Sequence, residues 1–487
     1  MLRLLLVICA ALGLGTALAA AIAVVELGWP QSSAQRRAAR AAEDGQLLRG
    51  ASLGDKADLA QLLAAAETED VAAENDLGCF YYRGRGVKRD YHKAAWWWGR
   101  ATVGGNTVAA GNLGILYRHG WGVPRDYHRA MRLFHEAADD GVTQAMVNIG
   151  ALFEYGQGVR LDYTRAMAWY RRAAAGGNAK AKRDIAYLYL HGLGIGKNVT
   201  AAFQWYHRAA AAGDTSAMVA IGYFYIHGRG TKHNYVAARF WAHRAATSGN
   251  ADGMAALGYL YEEGDGVPRN YAKALTWYHK AAAEHDAAAM YNLGQMYAAG
   301  EGVARSYRKA AIWYRQAAEK DLPAAMVGLG YLYEKGSGVP QDYPRALAWF
   351  RRAAAAHNAA AMYWLGWMYS HSEGVATDYG AALNWYRKAA AKNYGPAMDG
   401  LGWFYQHGEG VPKNGITAIG WYRKGIAHND VPAMYHLGCT YLHGLGVPKD
   451  VIRAKKWLKK AAAAGDTQAK RELARLNAVA PAPEKKK

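Results

Sequence analysis

Residues Ala289 to Pro323 read AMYNLGQMYAAGEGVARSYRKAAIWYRQAAEKDLP. Two apolar patterns at helical period flank the turn Gly300-Glu301-Gly302, so the stretch reads as a helix hairpin. Its apolar anchor, Leu293, has equivalents at Leu77, Leu113, Ile149, Ile185, Ile221, Leu257, Leu329, Leu365, Leu401 and Leu437, always 36 residues apart, with a half-length echo at Leu473. A hairpin repeated eleven times at a fixed period implies one all-α solenoid, each unit burying its apolar face against the next.

Each recurring position has a physical task. An aromatic ring four residues after the anchor (Tyr117, Phe153, Tyr189, Tyr225, Tyr297) shares the anchor's helix face and is expected in the core. The glycine after the anchor (Gly222, Gly258, Gly294) removes a side chain where two helices approach. The pairs Gly264/Gly266 and Gly300/Gly302 end the first helix through backbone angles other residues resist. Asp90, Asp126, Asp342 and Asp378 stand where they can cap the second helix. That helix carries an alanine in every unit (Ala94, Ala274, Ala454 among them) and a tryptophan in ten of eleven, which reads as large-and-small core packing.

Composition agrees with one long array. The 487 residues would suggest about three domains on a rough prior of ~150 residues each, but 56 Gly, 17 Trp and 34 Tyr are repeat positions counted many times. A content of 52% hydrophobic and 20% charged residues excludes intrinsic disorder and a polytopic membrane protein. Cys9, Cys79 and Cys439 are too few for a disulfide framework or a cysteine zinc site. Leu4 to Val25 is an uncharged apolar run, long for a cleaved signal and suited to an anchor, though Ala17-Leu18-Ala19 and Ala21-Ile22-Ala23 offer cleavage sites. The expected organisation is an anchor or signal peptide over 1–25, a linker over 26–56, an N-terminal capping helix over 57–72, and eleven repeats over 73–468. A C-terminal capping helix over 469–477 and a disordered basic tail over 478–487 complete it.

The pattern LG-x-x-Y-x-x-G-x-G-V-x-x-D-Y-x-x-A-x-x-W-Y-x-x-AA resembles the Sel-one-like repeat family, relatives of tetratricopeptide repeats. The resemblance implies a right-handed α/α superhelix acting as a protein-binding scaffold or adaptor, in bacteria often in the cell envelope, with no catalytic residue set. Leu133 in place of tryptophan, Ala186 in place of the glycine after the anchor and Ser372 in place of the first turn glycine depart from the pattern.

Positions two before, two after and six after the anchor fall on the opposite side of the first helix. They carry an aromatic series, Tyr187, Tyr223, Tyr259, Tyr291, Tyr331, Tyr363, Trp367, Trp403 and Tyr435, with Gln295 interrupting it. Six histidines, His119, His191, His227, His371, His407 and His443, follow at the third of these positions. The aromatic series suits contact with a partner, since Tyr and Trp offer flat apolar faces with a polar handle; ordinary packing between repeats would bury the same rings. The histidines suit helix C-termini and are spaced too widely to share a metal.

Lys and Arg number 59 against 39 Asp and Glu, a net charge of +20. Pairs such as Arg171-Arg172, His207-Arg208, Arg351-Arg352 and Lys459-Lys460 place much of it in a stripe near the ends of the second helices. Such a field favours an acidic protein, anionic lipid or acidic glycan, and export would remove nucleic acid from reach. Gly50-Ala51-Ser52-Leu53-Gly54 lacks the strand that a nucleophile elbow needs, and Ser306-Tyr307-Arg308-Lys309 occupies ordinary repeat positions. The chain therefore reads as a non-catalytic scaffold in the bacterial cell envelope, without metal or cofactor, exposed to the periplasm. A direct binder of peptidoglycan or acidic exopolysaccharide is the alternative, and an envelope hydrolase a more remote one.

Overall fold

Every repeat is stopped at fixed points by side chains the sequence supplies. Each first helix ends on a residue in the left-handed conformation, as at Gly84, Gly120, Gly300 and Gly444, whose N–H closes the last turn. At Ser372 a non-glycine residue takes the same conformation, with φ 59°. The chain then crosses to a capping residue whose side chain accepts a backbone N–H of the first turn of the second helix. Asp90, Asp162, Asp342 and Asp450 do this, and so do Asn198, Asn270 and Ser306. The N–H of each such cap donates back to the carbonyl of the aromatic residue four after the anchor, for example Asp126 to Tyr117 and Asp342 to Tyr333, both at 2.9 Å.

The structure, a computed structural model, describes residues 56–84 and 87–478. The expected anchor or signal peptide over 1–25, all but the last residue of the linker, the Gly50 to Gly54 motif and all but the first residue of the tail lie outside them. Among the described residues there are 24 helices and no strand, arranged as successive antiparallel pairs in an α/α solenoid. A helix over Lys56–Glu67 precedes the first repeat helix, Val71–Arg83, and a helix over Thr467–Ala478 follows the last pair. The described residues fall into two compact units, one ending at Trp277 and the other beginning at Tyr278.

All eleven anchors are buried. The residue against which each repeat closes is the one after the tryptophan column: Trp98, Phe134, Tyr170, Tyr278, Tyr314, Phe350, Tyr386, Tyr422 and Leu458 are all buried. This explains the glycine after the anchor. A β-carbon on Gly150 would stand 2.5 Å from the Tyr170 ring, and one on Gly402 would stand 2.5 Å from Tyr422. In the repeat anchored at Ile221 the ring position is Ala242, and a β-carbon on Gly222 would meet only a carbonyl oxygen, at 3.5 Å.

Two expectations about the core need correction. The tryptophans Trp169, Trp205, Trp277, Trp313, Trp349, Trp385, Trp421 and Trp457 are half-buried. They stand three residues after the invariant alanine, whereas the ring four residues after it shares the alanine's buried face. Most of the aromatic residues four after the anchor are also half-buried, Phe153, Tyr333 and Tyr441 excepted. A cation covers many of these rings: Arg129 lies 4.4 Å from the Tyr117 centroid, Lys309 5.2 Å from Tyr297 and Arg345 5.6 Å from Tyr333.

Candidate functional site

The first helices carry the candidate surface. Tyr187, Tyr223, Tyr259, Tyr331, Tyr363, Trp367, Trp403 and Tyr435 are half-buried, so each residue keeps some of its surface in solvent, although the Tyr363 hydroxyl is buried and its ring packs on Tyr386 and Tyr394. Tyr291 does not: at 3% exposure it packs on Tyr314, and its hydroxyl accepts the amide of Gln295 at 3.0 Å. Gln295 in turn accepts the Tyr314 hydroxyl. Tyr291 therefore leaves the candidate surface, because in that repeat the polar Gln295 bridges inward to the core tyrosine.

The histidine and aromatic columns form one feature. A residue two after the anchor and one six after it are separated by one helical turn, so their side chains meet. Trp367 and His371 stack at 3.6 Å between ring centroids and 14° between planes. Trp403 and His407 lie at 4.3 Å, Tyr187 and His191 at 4.3 Å, and Tyr223 and His227 at 4.1 Å. His371 and His407 each place Nδ1 within hydrogen-bonding distance of a carbonyl in their own helix, at 3.0 and 2.9 Å. Burial, with Arg229 and His233 nearby, pushes the His227 pKa down and favours the uncharged ring. At Trp367 and Trp403 the aromatic ring is thus backed by a histidine that its own helix backbone holds in place.

Behind this surface the repeats are joined by polar contacts that the period alone does not reveal. The residue five after the anchor reaches the core ring of its own repeat: Glu154 accepts the Tyr170 hydroxyl and Gln406 accepts that of Tyr422 at 3.1 Å. Gln406 also accepts the Thr440 hydroxyl of the next repeat at 2.7 Å. In the first unit, Arg183 bridges to Asp214 at 3.2 Å, with both side chains largely buried. In the second, His436 meets Asp399 of the preceding repeat at 2.7 Å, close to the buried Asp430. These partners differ from repeat to repeat, which is why alignment of the units leaves them unmarked.

The basic stripe of the second helices divides into two jobs. In several units the basic residue two after the tryptophan reaches the next repeat, as Arg171 does to the Tyr189 hydroxyl at 3.3 Å, Arg315 to Tyr333 at 3.1 Å and Arg351 to Tyr369 at 3.0 Å. A basic residue three after the tryptophan folds back over the ring. Arg172 lies 5.1 Å from Trp169, Arg208 4.7 Å from Trp205, Lys388 4.3 Å from Trp385 and Lys424 4.2 Å from Trp421. Such exposed cation–π pairs contribute roughly 0.5–1 kcal/mol each.

Among the described residues no group of three His, Cys, Asp or Glu side chains could hold a metal ion, and no helix is long and apolar enough to cross a membrane.

The Sel1 repeat matches eleven consecutive stretches, at residues 71–102, 107–142, 143–178, 179–214, 215–250, 251–286, 287–322, 323–358, 359–394, 395–430 and 431–466. A crystal structure of c5321, a protective antigen of uropathogenic Escherichia coli strains displaying an SLR fold, is 31% identical over 85% of this chain and 89% of its own, with a TM-score of 0.58. A Sel1 repeat protein from Oxalobacter formigenes is 28% identical over 67% of this chain and 93% of its own, with a TM-score of 0.48. No curated protein matches the chain. Sel1 repeat proteins generally mediate protein–protein interaction on a scaffold that is generally non-catalytic. Eleven units in unbroken register, matched one by one over most of the chain, make this chain a member of the Sel1 repeat family.

Proposed function

We propose that this protein is an envelope scaffold that holds a protein partner on the aromatic column of its first helices. The observation that carries this reading is the stacked pair of Trp367 and His371, with the same positions in close but tilted ring contact at Trp403 and His407, at Tyr187 and His191 and at Tyr223 and His227. Large, half-exposed and pre-ordered aromatic rings are what binding surfaces use for their strongest contacts. The net charge of +20 favours an acidic partner and draws it in over long range. The apolar run from Leu4 to Val25 supports attachment to the inner membrane, or export to the periplasm after cleavage.

Photo-crosslinking amino acids placed at Tyr223 and Trp403, followed by mass spectrometry of the cell envelope, test the reading. The expected outcome is capture of a defined protein from both positions and not from Ile416, a second-helix residue 75% exposed. Equal capture from all three positions would remove the proposal. Capture of peptidoglycan or acidic polysaccharide alone would replace it with the glycan alternative.

A further inference from the structure

Of the ten tryptophans in the second-helix column, nine have Lys or Arg three residues later. The exception is Trp313, where the position is Gln316. Among the described residues no cation lies over the Trp313 ring, whereas Trp349, next in the same unit, is covered by Arg352 at 5.4 Å. A cavity of about 700 Å³ opens at this place, between the ends of the helices Tyr271–Ala283 and Tyr307–Glu319. Its lining is one aromatic plate, Trp313, bordered by His279, His285, Gln316, Glu319 and Lys320, over a floor that includes the buried Met290. His279 approaches the indole edge-on at 5.4 Å, and its burial holds the imidazole pKa down, leaving one ring nitrogen to donate and the other to accept. His285 stands in the left-handed conformation, φ 64°, in a turn where the first unit uses glycine at Gly177, Gly213 and Gly249.

We infer that this cavity is a carbohydrate subsite, with Trp313 as the platform for one sugar ring and the five polar side chains around it as partners for its hydroxyls. The argument is one of matching. A pyranose offers an apolar C–H face for the indole and a rim of hydroxyls that both donate and accept. The border offers the same mixture: an amide, a carboxylate, an ammonium and two imidazoles. An apolar amino-acid side chain would use the plate but would cover these polar groups without pairing them, which costs binding energy. The plate of the subsite, Trp313, lies on a second helix, and none of the side chains that line the subsite belongs to the aromatic column proposed as the partner surface.

Gln316→Arg tests the inference without dismantling the repeat, because it installs the residue found at the same position in the next repeat, where Arg352 folds over the Trp349 ring. Full-length protein labelled with 5-fluorotryptophan is titrated with neutral hexose and N-acetylhexosamine oligosaccharides. The Trp313 fluorine signal is assigned by its loss in Trp313→Phe. The expected result is a saturable shift of that signal, with affinity for the same oligosaccharide at least about tenfold weaker in Gln316→Arg, as removal of one stacking contact implies. The inference is overturned if no oligosaccharide in the panel moves the Trp313 signal, or if Gln316→Arg binds as tightly as the wild type. It is equally overturned if only apolar tripeptides, run as the parallel series, move it.

Discussion

At the residue scale, the glycine after the anchor is set by what faces it. A β-carbon at Gly150 or Gly402 would press into a fully buried tyrosine, and overpacking of this kind costs typically ~1–3 kcal/mol. At Gly222 the facing residue is Ala242, the space is open, and alanine is the better helix former by ~1 kcal/mol. Gly150→Ala and Gly402→Ala are therefore expected to lower the denaturation midpoint, and Gly222→Ala to leave it unchanged or raise it; a uniform loss across all three would contradict the ring-on-glycine account. The glycine's task was legible in the sequence, but its partner was not. Tryptophan recurs in ten units and draws attention, whereas the true core position varies among Trp, Phe, Tyr, Leu and Ala and shows its role only through its spacing from the invariant alanine. The aromatic column on the first helices was legible as a face. That Tyr291 leaves it depends on Gln295, a single substitution in one unit, whose effect comes from a hydrogen bond that no period encodes.

At the scale of elements, the last two repeats carry a titratable contact between successive first helices. His436, on the helix Val431–His443, faces Asp399, on the helix Gly395–His407, and Asp430 caps the later helix through the Ala433 N–H at 3.0 Å. Burial, reinforced by the charge of Asp399, raises the Asp430 carboxyl pKa well above the usual range. Burial opposes charge on His436 too, but Asp399, with Asp430 and Asp466 adding to it, outweighs that and raises the imidazole pKa. The signs agree. From about pH 4 upward an unfolded Asp430 releases its proton while the folded one retains it, and above about pH 6.5 an unfolded His436 loses the proton the folded one keeps. Both effects erode stability as pH rises. Hydrogen exchange at the helix Val431–His443 is expected to slow as pH falls from about 8 to 6, once intrinsic exchange rates are corrected for. Asp430→Asn, which can still cap the helix, is expected to flatten that dependence. An unchanged slope in the variant would rule out Asp430 as its source. Helix ends were the most legible elements, since cap and turn residues act locally. Contacts such as His436 to Asp399 join residues 37 apart and had to be seen.

At the scale of the whole molecule, stability in a repeat array is carried by each unit and its nearest neighbours rather than by one shared core. Leu329→Ala deletes a fully buried anchor and is expected to cost ~2–5 kcal/mol locally. Hydrogen exchange should quicken in the helices Ala287–Ala299, Pro323–Lys335 and Ala359–His371 and stay as slow as in the wild type at Thr107–His119. Uniform loss of protection from end to end would mean that the array unfolds as a single unit. The second turn glycine adds a consequence of its own. A β-carbon on Gly266 would meet Tyr235 at 2.6 Å and one on Gly410 would meet Tyr379 at 2.6 Å, so each turn fits against the start of the preceding second helix. One residue lost inside a unit would rotate everything after it by about 100° and carry the anchor off its face. A whole unit lost or gained leaves every joint as it was. The chain can thus change length only in steps of one repeat, and evolution can adjust its reach by copying or excising links while the joints between them stay intact.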